Sequence, residues 1–331
     1  MSKWKLVAVA CLMAILCGCV MRTQQATSPD EENLIVVGFS QVGAESEWRV
    51  TNTESIKSAL SEENGYVLIF EDARQEQENQ IRAIRSFIQQ DVDYIVFSPK
   101  VETGWKTVLQ EAKDAGIPVI MIDRDVEEES RRLLTAYIGS DFYKEGKKAV
   151  VWLEDFLEKQ GRTEEPLRIV HIQGTIGSSA QIGRTRAMEE AVARHPNWEL
   201  VAQECGDFTR AKTYEVMSGI LEKTKDIDVV YCENDGEALG AIDAMEEAGL
   251  KCDPEDGVIV ISFDATRLAL QYCLEGKIAL NVECNPLQGP YVDEVIKRLE
   301  RGETIEREIY VDETQFDYQT ITQEMIDSRK Y

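Results

Sequence analysis

The 331-residue sequence predicts an α/β protein made of two doubly wound parallel-sheet lobes. Two observations lead to this prediction. Short apolar runs alternate with segments whose apolar residues recur at helical spacing, which is typical of buried parallel strands covered by helices on both faces. The alternation also occurs twice, with a break in the middle of the chain, so we expect two similar domains.

The N-terminus has the features of an export signal. Lys3 and Lys5 precede an apolar stretch over residues 6–17, which is shorter than the roughly 20 residues that a membrane-spanning helix requires. Gly18-Cys19 then resembles the cleavage site of a bacterial lipoprotein signal. We expect a signal peptide over residues 1–18, a lipid on Cys19 and a flexible tether over residues 19–33, which would hold an extracytoplasmic or periplasmic domain at the cell membrane. An ordinary secreted protein is the alternative.

Charge and cysteine content exclude several classes of partner. The net charge of −25 argues against nucleic acid or an anionic membrane surface, because both require positive charge on the protein. The chain has two histidines, and its cysteine spacing fits no zinc pattern, so we expect no metal and no cofactor. The disulfide state stays open for the five cysteines that follow the signal: Cys205, Cys232, Cys252, Cys273 and Cys284.

The predicted strands of the first lobe are the apolar runs at residues 35–39, 67–70, 94–97 and 117–122. Between them, Ile81, Ile84 and Ile88 recur at helical spacing and predict a helix that packs on the sheet. The second lobe has corresponding runs at residues 167–172, 199–201, 229–232, 258–263 and 278–282.

Three segments are candidates for the connections between the lobes. Residues 135–142 join the two series, and residues 281–289 and 302–308 are candidates for further crossings; a final strand over residues 305–311 would return to the other domain. Spacing alone leaves the number of crossings open. We assign residues 34–139 and 285–305 to the N-terminal lobe, and residues 140–284 and 306–331 to the C-terminal lobe.

Polar residues follow several of the apolar runs at the same relative place. Asp123-Arg124, Asn234-Asp235, Asp264 and Glu283 all stand at predicted strand ends. In open α/β sheets, ligands bind outside the carboxyl ends of the strands. These residues are therefore expected to line one crevice, although Asp123 and Arg124 could instead form a structural ion pair.

The loop over residues 43–49 follows the first strand and opens a helix. Its two carboxylates and its lack of a G-x-G-x-x-G pattern exclude a dinucleotide-binding turn. It combines an indole, carboxylates, a hydroxyl and a guanidinium, which suits a sugar, because an aromatic ring stacks on the C–H face while charged groups bind the hydroxyls. Trp48 could alternatively be a core anchor. The candidate residues here are Gly43, Glu45, Ser46, Glu47, Trp48 and Arg49.

The second half contributes two further candidates. Arg184 follows the small-residue loop at residues 174–179, which could hold an anion or be a simple tight turn, and Phe208 lies at a strand-to-helix junction. No G-x-S-x-G motif occurs, and neither histidine follows a strand, so an enzyme is not expected.

Taken in order along the chain, seven segments resemble the substrate-binding proteins of bacterial sugar ABC importers. The likeness is greatest to galactofuranose-binding proteins of the ribose-binding-like group, and it spans nearly the whole chain after the signal. The segments are residues 43–49, 78–81, 103–105, 123–124, 173–175, 206–210 and 234–235.

This resemblance implies a type I periplasmic binding protein, whose two lobes are joined by a three-strand hinge and close on one monosaccharide, galactofuranose-like or a related aldose. It implies a monomer that performs no chemistry and delivers the sugar to an ABC transporter permease. The alternative is a sensor that presents the sugar or an autoinducer to a chemoreceptor or sensor kinase. The ligand-binding residues it implies are the loop residues above with Asp123, Arg124, Arg184, Phe208, Asn234, Asp264 and Glu283.

Overall fold

The computed structural model describes residues 34–331. The expected signal peptide, the lipidated Cys19 and the tether over residues 19–33 lie outside the described residues. Among the residues described, no helix is both long enough and apolar enough to cross a membrane.

The first lobe is built on a six-stranded sheet in which every pair of neighbouring strands is parallel. Its strand order is β11-β5-β4-β3-β1-β2. The strands are β1 (Ile35–Gln41), β2 (Tyr66–Asp72), β3 (Tyr94–Phe97), β4 (Val119–Asp123), β5 (Ala136–Gly139) and β11 (Glu308–Tyr310).

The second lobe repeats this arrangement in the order β12-β10-β9-β8-β6-β7. Its strands are parallel except for β12, which pairs antiparallel with β10. The strands are β6 (Leu167–Gln173), β7 (Trp198–Cys205), β8 (Val229–Cys232), β9 (Ile259–Asp264), β10 (Leu280–Glu283) and β12 (Gln315–Asp317).

Helices cover both faces of each sheet. In chain order they are α1 (Glu47–Ala59), α2 (Gln77–Gln89), α3 (Lys106–Asp114), α4 (Glu128–Arg131), α5 (Phe142–Lys159), α6 (Ser179–Arg194), α7 (Arg210–Leu221), α8 (Asp235–Glu247), α9 (Arg267–Leu274), α10 (Gly289–Glu300) and α11 (Gln323–Ser328). Helices α2 and α3 bury one face of the first sheet, and α1 and α10 bury the other. In the second lobe α5 and α6 pack on one face and α7, α8, α9 and α11 on the other. The predicted pair of doubly wound lobes is confirmed.

Periodicity predicted the amphipathic helix α2 correctly. Ile84 and Phe87 are fully buried, and Ile81 and Ile88 pack against the same core. The sheet therefore fixes the face that α2 presents. Gln80 is the polar residue on this buried face, where it donates to the Ser98 carbonyl and accepts from the Lys100 amide.

The chain crosses between the lobes three times, at residues 140–141, 284–288 and 311–314. The third crossing corrects the sequence assignment, which placed it at residues 302–308 and gave residues 306–331 to the C-terminal lobe. Strand β11 instead pairs in parallel with β5 at the edge of the first sheet, and only β12 joins the second sheet. Pairing at the sheet edge keeps residues 308–310 in the first lobe. The Tyr137 amide donates to the Arg307 carbonyl, and the Val311 amide donates to the Gly139 carbonyl.

Candidate functional site

A cavity of about 310 Å³ lies between the two lobes, at the carboxyl ends of the central strands. The residues that line it are Glu45, Ser46, Trp48, Arg49, Asp123, Arg124, Phe142, Ala180, Arg184, Phe208, Asn234, Asp264 and Cys284.

The loop after β1 places the first group of these side chains. The Ser46 hydroxyl caps α1 by accepting a hydrogen bond of 3.2 Å from the Arg49 amide. Trp48 and Arg49 therefore lie in the first turn of α1, and both side chains are buried. Gly43 contributes by being small: a Cβ there would lie 2.6 Å from Nε2 of Gln75. Gln75 uses this space to donate to Oε2 of Glu45.

Two carboxylates and two guanidinium groups form a buried cluster on the first lobe. Arg49 lies 3.0 Å from Glu45 through Nε and 2.6 Å from Asp123 through Nη1, and Arg124 lies 3.4 Å from Glu45. All four side chains are at most 5% exposed. Burial opposes ionisation of Glu45, but the charges of Arg49 and Arg124 outweigh it and lower the pKa of Glu45. Glu45 is therefore ionised, and the cluster matches its two carboxyl groups with two guanidinium groups.

Asp123 ends β4 in a left-handed backbone conformation, with φ of 61°. Aspartate and asparagine adopt this conformation more readily than most residues. Ser98 donates to Oδ2 of Asp123 at 2.9 Å, the same oxygen that faces Arg49. Oδ1 accepts no hydrogen bond from residues 34–331, so it can receive one from a ligand.

Arg184 from α6 is the positively charged residue that the second lobe contributes to the lining of this cavity. Its guanidinium makes two contacts of 2.8 Å with Oε2 of Glu145 and donates to the main-chain oxygen of Glu233. The Asp264 carboxylate lies 4.0 Å away. Within residues 34–331 no group donates a hydrogen bond to that carboxylate. Burial, reinforced by the negative charge of Asp235, raises the pKa of Asp264 well above its usual value. Asp264 is thus a polar group in the cavity with free hydrogen-bonding capacity.

Asn234 plays a structural part within the cavity wall. Its Oδ1 caps α8 by accepting from the Glu237 amide at 2.8 Å, and its Nδ2 donates to the Phe208 carbonyl at 3.2 Å. Phe208 itself has a φ of 59°. Asn234 therefore holds the strained turn that directs the Phe208 ring into the cavity wall.

The remaining wall is apolar. Trp48, Phe142 and Phe208 form one cluster with Ala180 and Cys284 between the lobes. Nε1 of Trp48 donates to the Cys284 carbonyl at 2.6 Å, which fixes the indole against the second crossing segment. Together the rings provide apolar surfaces beside charged groups, the combination that a polyhydroxylated ring requires.

Three residues predicted from the sequence do not line this cavity. Glu47 is exposed and faces an adjoining groove. Gly43 packs under the Gln75 side chain. Glu283 accepts from Arg329 at 2.7 Å and from Tyr331 at 2.9 Å, and so it holds the C-terminal segment.

Three cavity residues were missed by the sequence analysis: Phe142, Ala180 and Cys284. Phe142 directly follows the first crossing, and Cys284 directly follows β10. The rule that strand ends line the crevice could have found Cys284, because it stands one residue beyond a strand end. Ala180 gives no signal, since small apolar residues are common at the start of helices.

Contacts outside the crossing segments also join the lobes. The Glu102 amide donates to the Gly177 carbonyl at 2.9 Å, and the Asp125 amide donates to the Ser179 hydroxyl at 2.8 Å. Glu102 and Asp125 belong to the first lobe, whereas Gly177 and Ser179 belong to the second. The structure therefore shows the lobes closed around the cavity.

Two similar α/β lobes, three crossings and a polar cavity between the lobes define a binding protein of the periplasmic type. The family described as "Periplasmic binding protein domain" matches residues 37–304, and the chain belongs to it. Members of this family bind ligands outside the cytoplasm.

Individual relatives cover most of the chain. The galactofuranose-binding protein YtfQ of Escherichia coli is 39% identical over 272 residues, which span 81% of this chain and 83% of that protein. A Mycobacterium smegmatis protein solved in complex with β-D-fucofuranose is 44% identical, covers 86% of this chain and 92% of its own, and superposes with a TM-score of 0.80. The arabinose ABC transporter component of Shewanella sp. ANA-3, bound to α- and β-L-arabinofuranose, is 38% identical, with coverages of 89% and 95% and a TM-score of 0.81.

Proposed function

We propose that this protein captures a monosaccharide between its two lobes and delivers it to an ABC importer. The observation that carries the proposal is the closed cavity, in which aromatic side chains lie beside buried charged groups from both lobes. A sugar bound by both lobes interacts more strongly with the closed state than with the open one, so binding favours closure.

The ligand that we propose is an aldose in its furanose form, galactofuranose-like or related. The three relatives described above are named for, or solved with, galactofuranose, fucofuranose and arabinofuranose. In this chain Asp123 and Asp264 each keep hydrogen-bonding capacity free, and they come from opposite lobes. Arg49, Arg124 and Arg184 supply donors in fixed fork geometry, which suits vicinal hydroxyls.

The proposed site retains the sequence-predicted contacts that line the cavity. Gly43, Glu47 and Glu283 are proposed to act indirectly: Gly43 by giving room to Gln75, Glu47 at the rim, and Glu283 by holding the C-terminal segment. We further propose that the protein binds its sugar without changing it and without a cofactor. Recovery of unaltered sugar after prolonged incubation, followed by NMR, tests this.

We propose that the protein acts as a monomer, tethered to the outer face of the membrane by a lipid on Cys19. The support is the signal pattern of residues 1–19 and a cavity formed entirely within one chain. Mass spectrometry of the membrane-extracted protein tests for the lipid, and analytical ultracentrifugation tests for the monomer.

An ABC permease is the partner that we propose. A sensor that presents its sugar to a kinase would use the same fold, but the importer component of Shewanella is 38% identical over nearly its whole length and favours transport. Loss of sugar uptake in cells that lack this protein, restored by its reintroduction, would support the importer.

A thermal-shift panel tests the proposed ligand class. The purified protein is mixed with D-galactose, L-arabinose and D-fucose, and separately with nucleotides. A sugar at 100 times its Kd stabilises the native state by about 2.7 kcal/mol, which for a chain of this size raises Tm by roughly 4 °C. A shift by nucleotides with none by any sugar would contradict the proposal.

A further inference from the structure

A second polar cluster lies where the three crossing segments meet, beside the cavity. A carboxylate oxygen of Glu145, a carboxylate oxygen of Glu313 and Sγ of Cys284 lie within 4.8 Å of one another. Cys284 belongs to the second crossing and Glu313 to the third, while Glu145 comes from α5. Glu145 and Cys284 are buried, and Glu313 is partly buried.

Glu145 has one oxygen paired and one oxygen free. Oε2 accepts from Nε of Arg184 at 2.8 Å and lies 2.8 Å from its Nη2. Oε1 is buried, and it has no hydrogen-bond partner among residues 34–331. A buried carboxylate oxygen without a donor is unfavourable, so a donor is expected beside it.

Glu313 is held so that it can supply this donor. Its Oε1 accepts from the Ser140 hydroxyl and from the Asn285 amide, at 2.5 and 3.0 Å. Its main-chain oxygen accepts from Lys148 at 3.0 Å. These contacts occupy one carboxyl oxygen with donors from the first two crossings and leave the other oxygen for a proton.

The charges around the pair favour that proton. Burial, followed by the negative charge of Glu145, raises the pKa of Glu313 to about 9. Burial also raises the pKa of Glu145, although the Arg184 guanidinium opposes this effect. Two neighbouring buried carboxyls cannot both ionise easily, and the one beside a guanidinium keeps the charge. The other titratable and charged groups facing the pair are Lys148 on α5, Cys284, Tyr231 on β8 and Asp264 on β9. The thiol pKa of Cys284 is raised well above its usual value, mainly by burial.

We infer that Glu313 is a positioning residue whose protonated carboxyl donates to the free oxygen of Glu145 and so holds Arg184 in its place in the sugar cavity. The inference rests on the proposed function for the role of Arg184, but the protonated pair itself does not. Each of the three crossings contributes one residue to this chain of hydrogen bonds: Ser140, Asn285 and Glu313. The segments that connect the lobes are thereby linked to a cavity-lining side chain.

The proposed hydrogen bond from Glu313 to Glu145 predicts a loss of folding stability as the pH rises towards 9. The protonated form of Glu313 is required, and its pKa in the folded protein is above the unfolded value. The stabilisation is therefore fully present below the unfolded-state pKa of about 4.5, is lost progressively as the pH rises to about 9, and changes no further above that pH.

Two substitutions separate positioning from mere packing. Glu313→Gln keeps a donor for Glu145 and an acceptor for Ser140, and its amide does not titrate. Glu313→Ala removes both. Glu306→Gln, at an exposed position on the adjacent loop, is the matched control.

The first readout requires no sugar. Tm of the purified protein is measured from pH 5 to pH 10 for the wild type and the variants. We expect the wild type and Glu306→Gln to lose stability progressively between pH 5 and pH 9, and Glu313→Gln to lose clearly less over the same range. Parallel curves for the wild type and Glu313→Gln would overturn the inference, whatever the ligand is. A rise in Tm with Zn²⁺ alone, absent in Glu313→Gln, would also overturn it in favour of a cation.

The second readout is sugar affinity by calorimetry with D-galactose or L-arabinose, whichever shifts Tm. At pH 7 we expect Glu313→Gln to stay within threefold of the wild type and Glu313→Ala to bind at least tenfold more weakly. Equal weakening by both variants would overturn the inference. If neither sugar binds the wild type, the proposed function fails, and the sugar-free Tm profile still decides whether the proton is shared.

Discussion

Asp123→Asn is the most informative single substitution in the cavity. The Asp123 carboxylate faces Arg49 at 2.6 Å and accepts from Ser98 at 2.9 Å, while its second oxygen is free. Asparagine has the same shape and tolerates the left-handed φ of 61° at this position. Alanine would add backbone strain to the loss of the charge, so asparagine isolates the electrostatic effect.

The expected magnitude follows from the bonds that are weakened. A hydrogen bond to a charged group is worth about 1.5–3 kcal/mol, and 1.4 kcal/mol corresponds to a tenfold change in affinity. We therefore expect sugar affinity to fall by roughly 10- to 100-fold. The free energy of unfolding should also fall, because Arg49 loses one of its two carboxylate partners and Glu45 alone remains.

Isothermal titration calorimetry with the sugar that stabilises the wild type measures the affinity, and a thermal melt confirms folding. Glu54→Gln is the control, since its side chain is 65% exposed on the same first lobe; we expect its Kd to stay within twofold of the wild type. A folded Asp123→Asn protein with an unchanged Kd would refute the assignment of Asp123 to the ligand site.

Three further predictions concern the aromatic walls, the C-terminal segment and pH. Phe208→Leu keeps a large apolar side chain but removes the ring, and we expect about tenfold weaker sugar binding by calorimetry; an unchanged Kd would exclude stacking. Glu283→Gln weakens the contact with Arg329 and should lower Tm by a few degrees in a melting experiment, while Kd changes less than twofold. The lowered pKa of Glu45 stabilises the folded state at pH values above about 4.5, and this stability should be lost as the pH falls through the folded-state pKa. Tm profiles from pH 7 to pH 3 should therefore be flatter for Glu45→Gln than for the wild type, and identical slopes would contradict the ionised cluster.

The sequence predicted the two lobes because the evidence of periodicity is local. Buried parallel strands form continuous apolar runs, and α2 has one apolar face, so both can be recognised without knowledge of contacts. The third crossing could not be located in this way. Strand β11 has three residues and an exposed edge, and its place in the first sheet is set by pairing with β5, which is distant in sequence.

The strand-end rule explains both the success and the failure of the site prediction. Asp123 ends a strand of the first sheet and Asp264 ends a strand of the second. Both line the cavity, because the parallel strands of each sheet share one carboxyl edge and ligands bind at that edge. Glu283 ends β10, which pairs with β9 in the second sheet. Its side chain instead contacts Arg329 and Tyr331, and these contacts depend on where the C-terminal segment packs. Likewise, Asn234 was predicted from polarity, yet both of its polar atoms are used by the fold itself. Position along a strand predicts the neighbourhood of a side chain, whereas its partners depend on tertiary packing.

The central claim is that one sugar is enclosed between the lobes by groups from both. A crystal structure of the protein with D-galactose or L-arabinose tests it most directly. We predict a furanose ring between Trp48 and Phe208, hydrogen-bonded to Asp123 on the first lobe and to Asp264 or Arg184 on the second. A sugar bound at another surface, or held by one lobe alone with the cavity open, would contradict the claim.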